Sequence, residues 1–228
     1  MTLIQQMRER WGIADALPVA DDQRLPGNYV STFHLAEVIG QLLKDDDVLA
    51  TGCSGLATEI FQLAVPLASD RDIICSWSLG AMGFGIPTAI GACIGSDYKN
   101  TVCVDGDGGF QLNIQDLATV RGLNLPIKFF VLNNNGYASM RVSQQRWFGR
   151  TFGTDDNDGL HMPNLERVVE GYDIPFERID GWRGLRQQVR AVLNMDGPVV
   201  CEVPSPPDEQ RPSQAPKTTA WSPVTRIR

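Results

Sequence analysis

Short apolar runs alternate with amphipathic segments along most of this chain, and no other feature constrains its fold as strongly. Six runs have the length and composition of buried strands, at residues 48–51, 73–75, 101–104, 127–132, 176–179 and 198–203. Segments with apolar residues three and four positions apart separate them and predict helices at 31–43, 57–65, 83–95, 113–122, 138–146, 163–172 and 182–193. Strands that alternate with helices pair in parallel. We therefore expect an α/β fold: a doubly wound, mainly parallel sheet of about six strands with helices on both faces.

The chain divides into one domain and two flanking segments. Residues 28–203 carry the pattern of strands and helices, and 228 residues with 43% hydrophobic content suit a single domain with a sizeable core. Residues 1–27 are a polar lead-in, punctuated by Pro18 and Pro26. Residues 204–228 are rich in proline, serine and threonine, which predicts an irregular tail.

Charge and cysteine content argue against several classes of function. A formal net charge of −7 disfavours binding to nucleic acid or to an anionic membrane surface. The five cysteines are odd in number and form no C-x-x-C pair, which favours reduced thiols. The first residues are polar, unlike a signal peptide, and no apolar run is long enough to cross a membrane. We therefore expect a cytoplasmic protein.

Polar side chains directly follow two of the predicted strands. Asp107 comes after the strand at 101–104, and Asn134 comes after the strand at 127–132. Ligands of open parallel sheets bind beyond the carboxyl ends of the strands, so these two side chains are expected near each other. Mg²⁺ prefers oxygen ligands of this kind, and the backbone carbonyl of Gly136 is a candidate third ligand. The sequence therefore predicts a site for a divalent cation.

Glycines around the aspartate leave room for a phosphate to touch the backbone. They are Gly106, Gly108 and Gly109. A helix predicted to start at Asn113 would add N–H donors for a diphosphate. A plain turn is the alternative, because Asp-Gly and Asn-Gly pairs are common in turns. A dinucleotide-binding loop at 83–88 is excluded, because Thr88 replaces the final glycine of G-x-G-x-x-G.

Two further segments relate this motif to a family. Residues 79–92 read LGAMGFGIPTAIGA and resemble the G-x-M-G-x-x-x-P-A-A-I-G-A stretch of the acetolactate synthase group of thiamine-diphosphate enzymes. Residues 110–119, FQLNIQDLAT, are similar to the run that follows the GDG motif in the same group. The resemblance extends over about residues 28–203. It implies the domain that binds the diphosphate of thiamine diphosphate through Mg²⁺.

The resemblance implies roles for single residues. Asp107, Asn134 and the carbonyl of Gly136 match the protein ligands of Mg²⁺. The carbonyl of Gly80 matches the acceptor of a hydrogen bond from the 4′-amino group of the cofactor. Met82 matches the apolar wedge beneath the bent cofactor, so Gly80 and Met82 are the expected catalytic residues and act by positioning it. Further expected cofactor contacts are Ser54, Gly55, Gly106, Gly108, Gly109 and Tyr137.

The resemblance also implies that half of the active site lies on another chain. In this family a glutamate from a pyrimidine-binding domain activates the cofactor, and no acidic residue of this chain matches its motif. Residues 1–27 resemble the linker that precedes the diphosphate-binding domain, and the sequence starts at Met1. We therefore expect one subunit of a split enzyme, in an α₂β₂ complex with a partner that carries the pyrimidine-binding domain.

The expected reaction starts from a small 2-oxo acid. The enzyme would decarboxylate it and join the remaining fragment to a second carbonyl, giving an acyloin or acetolactate. Ser139 and Ser143 replace a methionine and a tryptophan of acetolactate synthases proper, which weakens the match for acetolactate formation itself. Two alternatives stay open: a two-subunit decarboxylase of the sulfopyruvate or phosphonopyruvate type, and a regulatory relic without activity. Arg141 would either meet a substrate carboxylate or serve the fold.

Overall fold

The computed structural model describes residues 27–52, 55–65, 73–76, 78–207 and 209, which form one parallel sheet with its connections. The strands are β1 (Val48–Thr51), β2 (Ile73–Ile74), β3 (Thr101–Gly106), β4 (Ile127–Asn133), β5 (Phe176–Arg178) and β6 (Val199–Pro204). They lie in the order β2-β1-β3-β4-β6-β5, and every neighbouring pair is parallel. The predicted α/β fold with a six-stranded sheet is confirmed. The predicted lead-in, up to residue 26, lies outside the described residues.

Helices connect these strands throughout the described part of the chain. They are α1 (Thr32–Leu42), α2 (Leu56–Ala64), α3 (Gly85–Gly95), α4 (Asp107–Gln111), α5 (Leu117–Gly122), α6 (Ala138–Phe148), α7 (Leu165–Glu170) and α8 (Leu185–Leu193). Helix α1 begins after Ser31, whose hydroxyl accepts a hydrogen bond from the N–H of Phe33 at 3.2 Å, as an N-cap does. None of the described helices combines the length and the apolar character that crossing a bilayer requires.

Two apolar cores lie on opposite faces of the sheet. Val102 and Val104 of β3 face the core that α1, α2 and α8 cover. Cys103, between them, faces the core that α3, α5 and α7 cover. The same alternation places Phe129 and Phe130 of β4 in different cores, because successive side chains of a strand point to opposite faces. Helices therefore cover both faces, as predicted.

The strand order reverses between β1 and β3. After β1 the chain moves outward to β2, and it then returns to the other side of β1 to form β3. Such a reversal opens a crevice at the carboxyl ends of the two strands, where ligands of doubly wound sheets bind. The N–H of Gly52, directly after β1, donates a hydrogen bond of 2.7 Å to the carbonyl of Val104 in β3 and so joins the carboxyl ends of the two strands.

The segment after β3 contains one more helix than the sequence predicts. Helix α4, at Asp107–Gln111, is a helix that the sequence does not predict. The predicted helix at 113–122 is present and begins as a 3₁₀ turn at Ile114–Asp116 that continues into α5, and its role toward a diphosphate stays a prediction. The side chain of Asn113 makes no capping bond, and its amide donates to the carbonyl of Gly83 at 2.7 Å instead. Burial of the Phe110 ring, edge-on to Phe129 at a centroid distance of 5.5 Å, stabilises α4 although its glycines favour no helix.

The chain beyond β6 returns to the carboxyl end of the sheet. The N–H of Ser205 donates to the carbonyl of Asn133 at 2.9 Å. The carboxylate of Glu209 accepts hydrogen bonds from the hydroxyls of Ser31 and Thr32, at 2.7 and 2.6 Å, and from the N–H of Thr32 at 3.0 Å. This carboxylate lies at the N-terminus of α1, where negative charge is stabilised. The first residues of the predicted tail are thus fixed against the domain, and residues 210–228 lie outside the described residues.

Candidate functional site

Asp107 lies at the carboxyl end of β3, where its side chain is buried. Its Oδ1 accepts a hydrogen bond from the N–H of Gly108 and its Oδ2 accepts one from the N–H of Gly136, both at 2.8 Å. Gly136 follows β4, so the second bond joins the ends of two neighbouring strands. Each oxygen of an ionised carboxylate accepts about two hydrogen bonds, so both oxygens of Asp107 can still bind a cation.

Asn134 presents a buried amide oxygen at the end of β4. Its side chain is 9% exposed, and its Oδ1 has no hydrogen-bond partner among the described residues. A buried polar atom without a partner costs about 1–3 kcal/mol, which a bound cation would offset. The turn that follows is tight, with φ angles of 62° at Asn135 and 121° at Gly136. It is closed by a hydrogen bond of 3.0 Å from the N–H of Asn135 to the side chain of Asn133.

Two buried carboxyl groups lie close together in this site. Burial raises the pKa of Asp107 to about 6, and the hydrogen bonds from Gly136 and Gly108 offset only part of that effect. Burial likewise raises the pKa of Asp105 to about 7, with a smaller contribution from the charge of Asp107. The positive charge of Arg141 also offsets part of the effect of burial at Asp107, and no lysine or arginine is among the described residues that line the pocket.

In the metal-free chain, the free energy of unfolding is expected to fall as pH rises from about 4 to about 7. The folded-state pKa of Asp107, about 6, lies above its ordinary value of 3.8, so the folded state binds more protons than the unfolded state in this window. The pKa shift corresponds to roughly 3 kcal/mol of stabilisation of the folded state. This stabilisation is fully present below about pH 4 and is lost as pH rises through the folded-state pKa of about 6. Urea unfolding in EDTA over this range measures the slope. An Asp107→Asn chain with an equally steep slope would contradict the assignment.

An apolar wall stands beside the Asp107 carboxylate. A Cβ atom built on Gly108 would lie 2.5 Å from ring carbons of Tyr137 and 3.3 Å from the terminal methyl of Met82. A side chain at residue 108 would require the Tyr137 ring to shift, because a real Cβ atom essentially never lies under 3.0 Å from another atom. Met82 and Tyr137 are themselves half-buried and can pack against an apolar ring.

One pocket brings together most of the predicted cofactor residues. Those that line it are Gly55, Met82, Gly106, Asp107, Gly108, Gly109, Asn134, Gly136 and Tyr137. Gly80 does not line this pocket; it lies two residues before Met82, with a left-handed φ of 58°. Ser54 lies outside the described residues. The roles of all these residues toward a cofactor stay predictions.

Some residues of the pocket escaped the sequence analysis. They are Ala57, Asp105, Leu132, Ala138, Met140, Val142, Pro207 and Glu209. Asp105 belongs to the same Val-Asp-Gly-Asp-Gly run as Asp107, but its position marks it as the end of a strand. Pro207 and Glu209 fall in the predicted tail, and no local pattern connects them to residues more than sixty positions earlier.

Arg141 serves the fold rather than an open substrate site. Its guanidinium forms an ion pair of 2.8 Å with Asp155 and donates to the carbonyls of Asn134 and Pro207 at 3.1 and 3.0 Å. The side chains of Arg141 and Asp155 are 17% and 15% exposed. Of the two roles that the sequence left open, the structure therefore favours the structural one, in which Arg141 holds the metal-site turn, helix α6 and the segment after β6 together.

Replacing Arg141 with alanine is expected to lower the free energy of unfolding by about 2 kcal/mol or more, because an ion pair and two carbonyl acceptors lose their partner. Urea unfolding measures this loss. Arg146→Ala is the matched control, since Arg146 lies on the same helix, is exposed and contacts the face of Trp147 at 5.3 Å. The control is expected to change stability by no more than about 0.5 kcal/mol. Equal losses in the two variants would contradict a structural role for Arg141.

The charges of the pocket fit a cation with an attached phosphate. Asp105, Asp107 and Glu209 line it, and no lysine or arginine is among its described lining residues. A bare diphosphate would be repelled there, whereas a divalent cation would attract it and neutralise the carboxylates. Mg²⁺ binds through one or two protein oxygens together with phosphate oxygens, and the Asp107 carboxylate and the partnerless Oδ1 of Asn134 are such donors.

A family comparison agrees with this geometry. The sequence profile described as "Thiamine pyrophosphate enzyme, C-terminal TPP binding domain" matches residues 50–203 of the chain. That range is most of the domain, and it contains all residues that line the pocket except Pro207 and Glu209.

Acetolactate synthases are among the similar proteins. Acetolactate synthase 1, chloroplastic, of Nicotiana tabacum is 30% identical over 191 residues, which cover 80% of this chain and 28% of that protein. Acetolactate synthase 2, chloroplastic, of Zea mays is 32% identical over 181 residues, which cover 76% of this chain and 28% of that protein. The chain thus spans less than a third of the length of these relatives.

A solved structure shows the same fold. The thiamine diphosphate-dependent 4-hydroxybenzoylformate decarboxylase of Rhodococcus jostii RHA1 superposes with a TM-score of 0.69 over 81% of this chain and 34% of that chain. At 22% identity, this likeness shows the fold alone. Because the family profile matches two thirds of the chain, the chain belongs to the thiamine pyrophosphate enzymes and carries their C-terminal, cofactor-binding domain.

Proposed function

We propose that this chain is the diphosphate-binding subunit of a split thiamine diphosphate-dependent enzyme. The enzyme decarboxylates a 2-oxo acid and joins the remaining fragment to a second carbonyl, as acetolactate-forming and acyloin-forming enzymes do. The observation that carries the proposal is a buried carboxylate, Asp107, beside the partnerless amide oxygen of Asn134. Both lie at the carboxyl ends of neighbouring strands, β3 and β4, in a pocket whose described lining residues include no lysine or arginine.

Mg²⁺ is part of the proposal, because three carboxylates line the pocket. Asp107 and Asn134 would hold the cation through side-chain oxygens, and Gly136 would add its carbonyl. The N–H of Gly136 already donates to Asp107 at 2.8 Å, so the turn and the carboxylate are held in place before any ligand binds. Such preorganisation lowers the cost of binding.

The remaining residues of the pocket would position the organic part of the cofactor. Met82 and Tyr137 would supply the apolar wall against which a ring of the cofactor packs. The carbonyl of Gly80 would accept a hydrogen bond from the cofactor's amino group. When bound, thiamine diphosphate supplies a nucleophilic carbon and an acceptor for the electron pair that decarboxylation releases. The chain itself contributes binding and orientation.

A second subunit is proposed to supply the missing acid. The described pocket contains one glutamate, Glu209, and its carboxylate is held by Ser31 and Thr32 at the start of α1. Glu209 is therefore poorly suited to activate a cofactor ring. The relatives whose sequences match are more than three times as long as the matched region, which leaves room for a pyrimidine-binding domain elsewhere. We propose an α₂β₂ complex.

The two alternative functions receive less support. A substrate with a sulfonate or phosphonate group needs a cation, but the described lining residues include none and Arg141 is engaged by Asp155 and two carbonyls. A non-catalytic relic would have no use for a buried amide oxygen without a partner, since that atom destabilises the fold. Neutral substituents on the 2-oxo acid are therefore favoured.

Reconstitution tests the proposal. The purified chain, supplied with thiamine diphosphate, Mg²⁺ and pyruvate, is expected to release no CO₂ alone and to release it once a partner with a pyrimidine-binding domain is added. An Asp107→Asn chain with the same partner is the control and is expected to stay inactive. Turnover by the chain alone would exclude a split enzyme. Aldehyde without any acyloin product would support the simple decarboxylase instead.

A further inference from the structure

Asp105 occupies an unusual position for a carboxyl group. It is 5% exposed and precedes Gly106, the last residue of β3, whose N–H donates to its Oδ1 at 2.8 Å. Its Oδ2 is buried and has no hydrogen-bond partner among the described residues. A carboxyl group in such surroundings costs free energy, so its presence calls for a reason other than stability.

Three glycines surround this carboxyl group. A Cβ atom built on Gly52, Gly85 or Gly109 would lie under 3.0 Å from one of its oxygens, a separation that real Cβ atoms essentially never show. The backbone approaches Asp105 so closely from three directions that a side chain at any of these positions would require the carboxyl group to move. The carboxyl group therefore fills the space where the three backbone segments meet.

Each of these segments leads to a different part of the candidate site. Gly52 directly follows β1 and lies three residues before Gly55. Gly85 is the first residue of α3, three residues after Met82. Gly109 lies in α4, the helix that Asp107 begins.

We propose that Asp105 is a positioning residue: its carboxyl group sets the spacing of the three backbone segments that carry Gly55, Met82 and Asp107, at a cost in stability. It acts through Gly52, Gly85 and Gly109 rather than by touching the cofactor. The inference rests on the proposed cofactor site for its purpose, but its contacts belong to the chain alone. A residue kept only for stability would not leave a buried oxygen without a partner.

A mutant cycle tests the contact. Gly85→Ala is expected to raise the unfolding equilibrium constant by roughly 100-fold, because the new Cβ meets the Oδ2 of Asp105. Gly91→Ala is the matched control on the same helix, since a Cβ there meets nothing within 4 Å. In an Asp105→Ala background, Gly85→Ala is expected to raise the unfolding equilibrium constant by only about tenfold. Equal effects in both backgrounds would overturn the contact.

Amide exchange and cofactor binding test the positioning role. Asp105→Ala is expected to leave the unfolding equilibrium constant within about threefold of wild type or to lower it. It is expected to speed hydrogen exchange at the amides of Gly108 and Gly136, which donate to Asp107, by about tenfold or more. Affinity for thiamine diphosphate at saturating Mg²⁺ is expected to fall by a similar factor.

The outcomes separate this inference from the proposed function. Unchanged exchange at Gly108 and Gly136, or an Asp105→Ala chain that is strongly destabilised or fails to fold, would overturn it. A wild-type chain that binds no thiamine diphosphate, even with its partner, would count against the proposed function, and the exchange comparison would still decide the role of Asp105.

Discussion

An Asp107→Asn chain is expected to bind thiamine diphosphate roughly 100-fold more weakly than wild type at saturating Mg²⁺, a loss of about 2.7 kcal/mol. Asparagine keeps the shape of the side chain but removes its charge. In the wild type, the N–H groups of Gly108 and Gly136 each donate a hydrogen bond of 2.8 Å to a different oxygen of Asp107. Asparagine has only one oxygen to accept them. The variant therefore loses a cation ligand and one of the bonds that fix the turn. Titration calorimetry of the chain, alone and with its partner, measures the affinity.

Asp116→Asn is the matched control for this experiment. Asp116 lies nine residues further along the chain, in the 3₁₀ turn at Ile114–Asp116, and does not line the pocket. Its replacement removes the same charge from the same region and is expected to leave the affinity within about twofold. An Asp107→Asn chain that binds as tightly as this control would show that Asp107 is no ligand of the cation.

The sheet and the candidate cation ligands followed from local patterns in the sequence. A run such as Ile127–Asn133 is apolar except for Lys128 and Asn133 because helices cover both of its faces, so it is recognisable without its neighbours. Asp107 and Asn134 were identifiable because parallel strands bring their carboxyl ends to one edge. The fold class and the proximity of these two strand ends therefore required no knowledge of distant contacts.

Other parts of the site depend on contacts between distant residues. The sequence from Asp107 to Gln111 has two glycines among five residues and predicts no helix, but burial of Phe110 stabilises one. Glu209 reaches the site because Ser31 and Thr32, more than 170 residues earlier, bind its carboxylate. Asp105 reads as an ordinary strand end until its three surrounding glycines are known. Local periodicity contains no information on such contacts.

A Gly136→Ala chain is expected to lose roughly 3 kcal/mol or more of its free energy of unfolding. Gly136 has a φ of 121°, which residues with side chains rarely adopt. A Cβ atom there would also lie under 3.0 Å from the carbonyl oxygen of Thr154. That oxygen is a backbone atom that accepts the N–H of Tyr137 at 2.9 Å, so it cannot move without breaking a further bond. Urea unfolding of the metal-free chain measures the loss.

Gly159→Ala separates the two causes. Gly159 has a similar φ of 108°, but a Cβ atom there meets nothing within 4 Å, so its replacement adds backbone strain alone, about 1–3 kcal/mol. The excess loss in Gly136→Ala then measures the contact with Thr154. Relief of that contact would move the N–H of Gly136 away from Asp107, and affinity for Mg²⁺ should fall with stability. Equal losses in the two variants, with Mg²⁺ affinity unchanged, would show that the turn is not what holds the carboxylate in place.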